Sequence, residues 1–146
     1  MRYAHIATCI SILLLAISSP TWAQAASAND IDTWSTRFKD AVASGSIDGI
    51  MSSLLEVRDE RLNQDGLRNS VVSFNSNFRD LSLIYATRIE DQYVGDLYHR
   101  FTTAAIYKTQ HLYYTTTFMR EKDAWKLVYV QMNTDLNKVV NLPWPQ

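Results

Sequence analysis

The sequence predicts an α+β fold in which N-terminal helices pack on a strongly curved, cone-like antiparallel sheet. Three observations carry this expectation. Apolar residues recur at helical spacing between Ile31 and Phe78. Beyond Phe78 the period falls to two and the chain becomes rich in Tyr, Thr, Val and Phe. Two polar dipeptides, Lys108-Thr109 and Lys122-Asp123, then punctuate the second half at hairpin spacing.

The first 25 residues read as a secretory signal. Arg2 supplies the positive start, and Ile10 to Ile17 is apolar apart from Ser11. Pro20 breaks the run, and Ala23 and Ala25 offer small residues at cleavage spacing. The apolar run is shorter than the roughly 18–20 residues a membrane span needs, so no stable span is expected after cleavage. The single cysteine, Cys9, belongs to this signal. The mature chain therefore has no thiol for catalysis, zinc binding or redox switching. A secreted, periplasmic location fits a cysteine-free domain behind such a signal.

Residues 26–30 are expected to be a linker, 31–140 a single domain and 141–146 a C-terminal tail. Asn29 or Asp30 can cap a first helix whose face carries Ile31, Trp34, Phe38, Ala41 and Val42, with Gly45 as its left-handed stop. Ser46 can cap a second, with Ile47, Ile50, Met51, Leu54 and Leu55 as its stripe. Leu67, Val71, Phe74 and Phe78 outline a third. The charged run between, including Arg58, Asp59, Glu60 and Arg61, reads as solvated surface. Four strands follow: Leu81 to Glu90, Asp96 to Tyr107, Gln110 to Glu121 and Ala124 to Asp135. The Leu-Pro-Trp-Pro-Gln ending cannot join a ladder and should run over the surface.

With two-residue hairpin loops, alternation builds two sheet faces. Leu97, His99, Phe101, Tyr107, Tyr114, Phe118, Trp125, Leu127, Tyr129 and Gln131 should face the helices. Arg100, Thr102, Ala104, Ile106, Tyr113 and Thr115 should face outward. That outer face is apolar enough to suit a partner subunit, so a homodimer through it is expected.

Net charge is −1, with 14 basic against 15 acidic residues. No basic excess exists to neutralise phosphates, which argues against nucleic-acid binding. The two histidines of the meander, His99 and His111, fall on opposite faces, and neither a metal-ligand spacing nor a phosphate loop or nucleophile elbow occurs. No metal and no cofactor is expected.

The hairpin run Arg120-Glu121-Lys122-Asp123-Ala124-Trp125-Lys126-Leu127, behind two or three helices, resembles the polar-turn, Trp, Lys/Arg, aliphatic signature of the nuclear transport factor 2-like superfamily. The resemblance spans Ile31 to Asp135. It implies a bent sheet wrapped around the helices, an open-ended pocket and dimerisation through the sheet. Enzymes of that superfamily use an acidic residue or a His–Asp pair in the pocket, and no residue of this chain matches those positions.

The candidate ligand-binding residues are Tyr85, His99, Tyr114, Tyr129 and Gln131; Tyr107 is a further tyrosine of the same kind. A tyrosine offers an apolar ring and a hydroxyl in need of a partner, which suits a partly apolar ligand, and packing alone is the simpler alternative. His99 would serve as a general base if a carboxylate oriented it; without one it is a hydrogen-bonded structural histidine. No catalytic residue is assigned. The expected function is a secreted, non-catalytic module that binds a small apolar ligand or an envelope protein. The alternatives are a small isomerase or dehydratase using His99, or an envelope secretion-system assembly component.

Overall fold

A computed structural model describes residues 31–144. The signal, the linker and the last two tail residues lie outside the described residues.

Three helices come first. In α1 (Ile31–Ser44), Ile31, Trp34, Phe38 and Val42 are buried along one face. Gly45 ends it at φ 66°, a left-handed conformation that costs glycine little. Ser46 then caps α2 (Ile47–Glu56), its hydroxyl accepting from the Gly49 amide at 3.0 Å. Asn63 does the same for α3 (Gln64–Ser76) through the Gly66 amide at 2.8 Å. A bidentate Arg37–Glu56 pair, at 2.9 and 3.1 Å, ties α1 to α2 across the surface.

The sheet is a meander in the order β1-β2-β3-β4, antiparallel throughout: β1 (Leu83–Val94), β2 (Tyr98–Tyr107), β3 (His111–Glu121) and β4 (Ala124–Asn133). Three helices precede the sheet and cover one face of it, as expected. Both polar dipeptides are hairpin tips: Ile106 pairs with His111 and Glu121 with Ala124. Lys122 adopts φ 56° in the second. The first strand departs from expectation. It begins at Leu83 rather than Leu81 and continues to Val94 rather than Glu90, because Gly95 (φ 53°) opens a further hairpin that pairs Val94 with Tyr98.

Three register shifts bend the ribbon. Ile84 and Ile89 are extra residues in β1, and Val128 is extra in β4. Each one exchanges the faces of the residues beyond it. Trp125 and Leu127 face the helices as expected, but Tyr129 pairs with Thr117 and Gln131 with Thr115, both on the outer face. Tyr85 pairs with Ile106 and also lies outside. The helix-facing residues past the bulge are Val130 and Met132.

The core fills the bend between helices and sheet. The Trp34 and Phe38 rings stack at 5.1 Å, Trp34 meets Phe118 edge-on at 4.7 Å, and Phe38 meets Tyr114 edge-on at 5.8 Å. Trp34, Phe38, Tyr114 and Phe118 are each 1% exposed or less. The buried Trp34 indole N–H donates to the Ser53 carbonyl at 2.8 Å, so no polar group is stranded there.

Two further departures matter. Asp59 is buried rather than solvated: its carboxylate accepts from the Arg61 amide and guanidinium at 2.7–2.9 Å. The chain around it joins the free edge of β4, where Leu127 donates to Val57 and accepts from the Asp59 amide. Secondly, β4 stops at Asn133. Asp135 lies in the turn before a short helix α4 (Asn137–Val140), whose Val139 packs on Ala104 and Tyr113 of the outer face.

Candidate functional site

The residues of greatest chemical interest gather where the start of α1 meets the far ends of β1 and β2. His99 projects from β2 toward the helices and is 1% exposed. Its Nε2 lies 2.5 Å from Asp91 Oδ1 of β1. A carboxylate only accepts, so the neutral ring carries its proton on Nε2 and leaves Nδ1 as a bare lone pair. Nδ1 has no hydrogen-bond partner among the described residues. Aromatic rings close in on the imidazole: Tyr93 stacks at 3.8 Å, Phe101 stands at 4.0 Å and Trp125 at 5.9 Å.

Arg88 organises the rim. Its guanidinium donates to Ser35 Oγ at 2.9 Å and to Asp32 Oδ1 at 3.2 Å, both on α1, and lies 3.6 Å from Asp91 Oδ2. It also lies over Phe101, 5.1 Å from the ring centre. Burial pulls the His99 imidazole below its ordinary value, while the Asp91 hydrogen bond and charge push back. Burial likewise raises Tyr93, with Asp91 adding to it. The result is an oriented, neutral imidazole on a partly exposed carboxylate, sealed from water by aromatic rings.

The five residues singled out from the sequence do not gather at one site. His99 lies in this cluster. Tyr114 is in the core, where its hydroxyl donates to Asn75 Oδ1 at 2.7 Å and burial raises its pKa. Tyr85 and Tyr129 are 54% and 39% exposed on the opposite side of the sheet, with Tyr129 donating to Gln131 Oε1 at 2.9 Å. Sequence reasoning missed Asp91, the partner His99 needed. The signal was Gly95: as a hairpin tip it pairs Tyr93 with His99 and brings Asp91 onto the same face.

A separate cleft of about 300 Å³ opens between the α1–α2 turn, the end of α3 and the start of β1. Ile47, Phe78, Leu81 and Leu83 supply apolar wall, and Asn75 and Tyr107 supply polar groups. Burial raises the Tyr107 hydroxyl. Among the described residues no cluster of three or more His, Cys, Asp or Glu side chains is placed to hold a metal ion. No helix there is long and apolar enough to cross a membrane.

Fold and site together define the class: an α+β module whose helices fill the bend of a curved antiparallel meander. No family model and no curated protein matches the sequence. Solved structures resemble it in fold. A DUF4783 family protein from Bacteroides ovatus is similar with a TM-score of 0.50 and 4% identity, over 68% of this chain and 93% of that one. One from Bacteroides uniformis has a TM-score of 0.50 and 6% identity, over 68% and 95%. A nuclear transport factor 2-like family protein from Streptomyces avermitilis has a TM-score of 0.41 and 15% identity, over 74% and 95%. At such identities the likeness to the Bacteroides proteins speaks of fold alone.

Proposed function

We propose that this chain is an exported, non-catalytic module of the nuclear transport factor 2-like type that binds a small, largely apolar ligand or an envelope protein. The observation that carries this reading is the filled interior. Trp34, Phe38, Tyr114 and Phe118 occupy the space where a cone-shaped pocket would lie, and a cleft opens instead beside Tyr107. A cleft of that size sits at the small end of ligand sites. Saturable binding of a small apolar fluorescent probe, lost in Leu83→Trp, is the expected result. Equal binding by the variant would remove the cleft from the reading. A signal-like N-terminus supports export, and fractionation of expressing cells tests it. The part of the outer face around Tyr85 and Val94, 54% and 42% exposed, remains the proposed homodimer surface, which light scattering tests.

One observation favours the second reading, a dehydratase or isomerase acting on an apolar ring compound. His99 has the carboxylate partner that a general base requires, and displacement of Tyr93 would open the imidazole to a substrate. Turnover of hydroxylated cyclic ketones that drops about 10²- to 10⁴-fold in His99→Gln and Asp91→Asn would support this reading. Turnover unaffected by either change would end it.

A further inference from the structure

The outer face of the sheet carries a second, unrelated constellation. Arg100 is only 1% exposed, yet among the described residues no carboxylate lies within ion-pair distance of it. A buried guanidinium needs partners for its fixed fork of donors. It finds them in the chain's own C-terminus. Nη1 donates to the Leu142 carbonyl at 2.8 Å and Nη2 to the Pro143 carbonyl at 2.9 Å, while Nε donates to Thr117 Oγ1 at 3.1 Å. The guanidinium also stacks on the Trp144 ring, 4.0 Å from its centre, and Tyr98 stands 6.0 Å from the same ring. Beneath, Thr102, Thr115 and Thr117 are fully buried, and Thr102 hydrogen-bonds both Thr115 and Glu90. Neighbouring α4 seats Val139 on Ala104 and Tyr113.

We propose that this surface is a peptide-docking site for an extended aliphatic–Pro–Trp segment, filled in cis by the chain's own C-terminus and open to a partner segment of the same chemistry. The geometry reads such a segment in two ways. Pro143 has a fixed φ and keeps Leu142 before it extended, so the consecutive carbonyls of Leu142 and Pro143 meet the two arms of one guanidinium. Tryptophan gives the best ring face for a cation. The segment offers few side chains for apolar burial: Pro143 is exposed, and Leu142 and Trp144 are only partly covered. Arg100 is therefore the anchor. A tethered segment acts at an effective concentration in the millimolar range, so a competitor binds well only when the cis contact is weakened. The surface lies across the sheet from the cleft and from His99, and stands independently of the function proposed above.

The test uses the full chain and a fluorescein-labelled peptide, Asn-Leu-Pro-Trp-Pro-Gln, followed by fluorescence anisotropy. Trp144→Ala loosens the cis segment, and this variant should bind the peptide at least about ten-fold more tightly than the natural chain. Adding Arg100→Met to Trp144→Ala should abolish that binding. Arg100→Lys in the same background, which keeps the charge but loses the planar fork, should lose most of it and provides the result if the Met variant does not fold. Trp144→Ala binding no better than the natural chain, or binding that survives both Arg100 changes, would overturn the proposal.

Discussion

At the scale of single residues, two ionisable groups leave separable marks on stability. His99 has a folded pKa below 6.5, caused first by burial and opposed by Asp91. Facing it are Asp91, Arg88 and Tyr93 from β1 and Asp32 from α1. Unfolding frees the ring to take up a proton, so below pH 6.5 the unfolded chain binds more protons than the folded one. The stability due to a neutral His99 is fully present above pH 6.5 and declines as pH falls below it. The thermal midpoint should drop between pH 7.5 and 5.5, and His99→Phe should flatten that part of the curve. Asp59 acts lower. The Arg61 hydrogen bonds hold its carboxyl down at about 2, from an ordinary 3.8, so its contribution is present above 3.8 and is lost toward pH 2. Arg61 itself is solvated, which keeps the contribution to about 1 kcal/mol. Asp59→Asn should therefore cost about that much at pH 7 in a urea titration, and make the slope below pH 4 shallower.

Among the elements, local rules explain the helices better than the strands. The α1–α2 junction and the start of α3 have visible devices: Gly45 stops, Ser46 caps, Asn63 caps. Ser46→Ala should lose about 1 kcal/mol, read from the shift of the urea midpoint. The strands are governed by bulges. Deleting Val128 would restore simple alternation in β4 and turn Tyr129 and Gln131 toward a core already filled by Phe118 and Trp34. The expected result is a protein destabilised by several kcal/mol or unable to fold. Near-natural stability on calorimetry would mean that the extra residue is absorbed elsewhere. This is also where legibility ended. Hydrophobic period two announces a strand, but a bulge depends on which pairing of two distant segments packs best. Val128, Ile84 and Ile89 carry no residue-type signal of their own, since each is an ordinary β-former.

For the whole molecule, the aromatic core and the two sheet faces set what the protein can do. Trp34 touches both a helical neighbour and β3, and Trp34→Ala should cost about 3–5 kcal/mol by equilibrium denaturation. Aromatic filling of the bend leaves chemistry to its margins: the Asp91–His99 pair at one end, the small cleft at the other, and the Arg100 clamp behind the sheet. His99 stood out in the sequence as a lone histidine among apolar residues. Its carboxylate did not, because Asp91 meets it only through a hairpin that a single glycine begins. Arg100 looked like one more outward-facing polar residue until the C-terminal segment was seen to fold back over it.

From the linear chain alone came the helical stripes, the caps and stops, both dipeptide hairpins and hence the α+β order, because each of these depends on residues within a few positions of one another. Only folding in three dimensions decided which tyrosines look inward, which carboxylate meets His99, and which cation the closing Leu-Pro-Trp segment covers. Those outcomes join residues far apart in the chain, and the competition among packing, burial and hydrogen bonding that selects such partners is settled by the assembled structure.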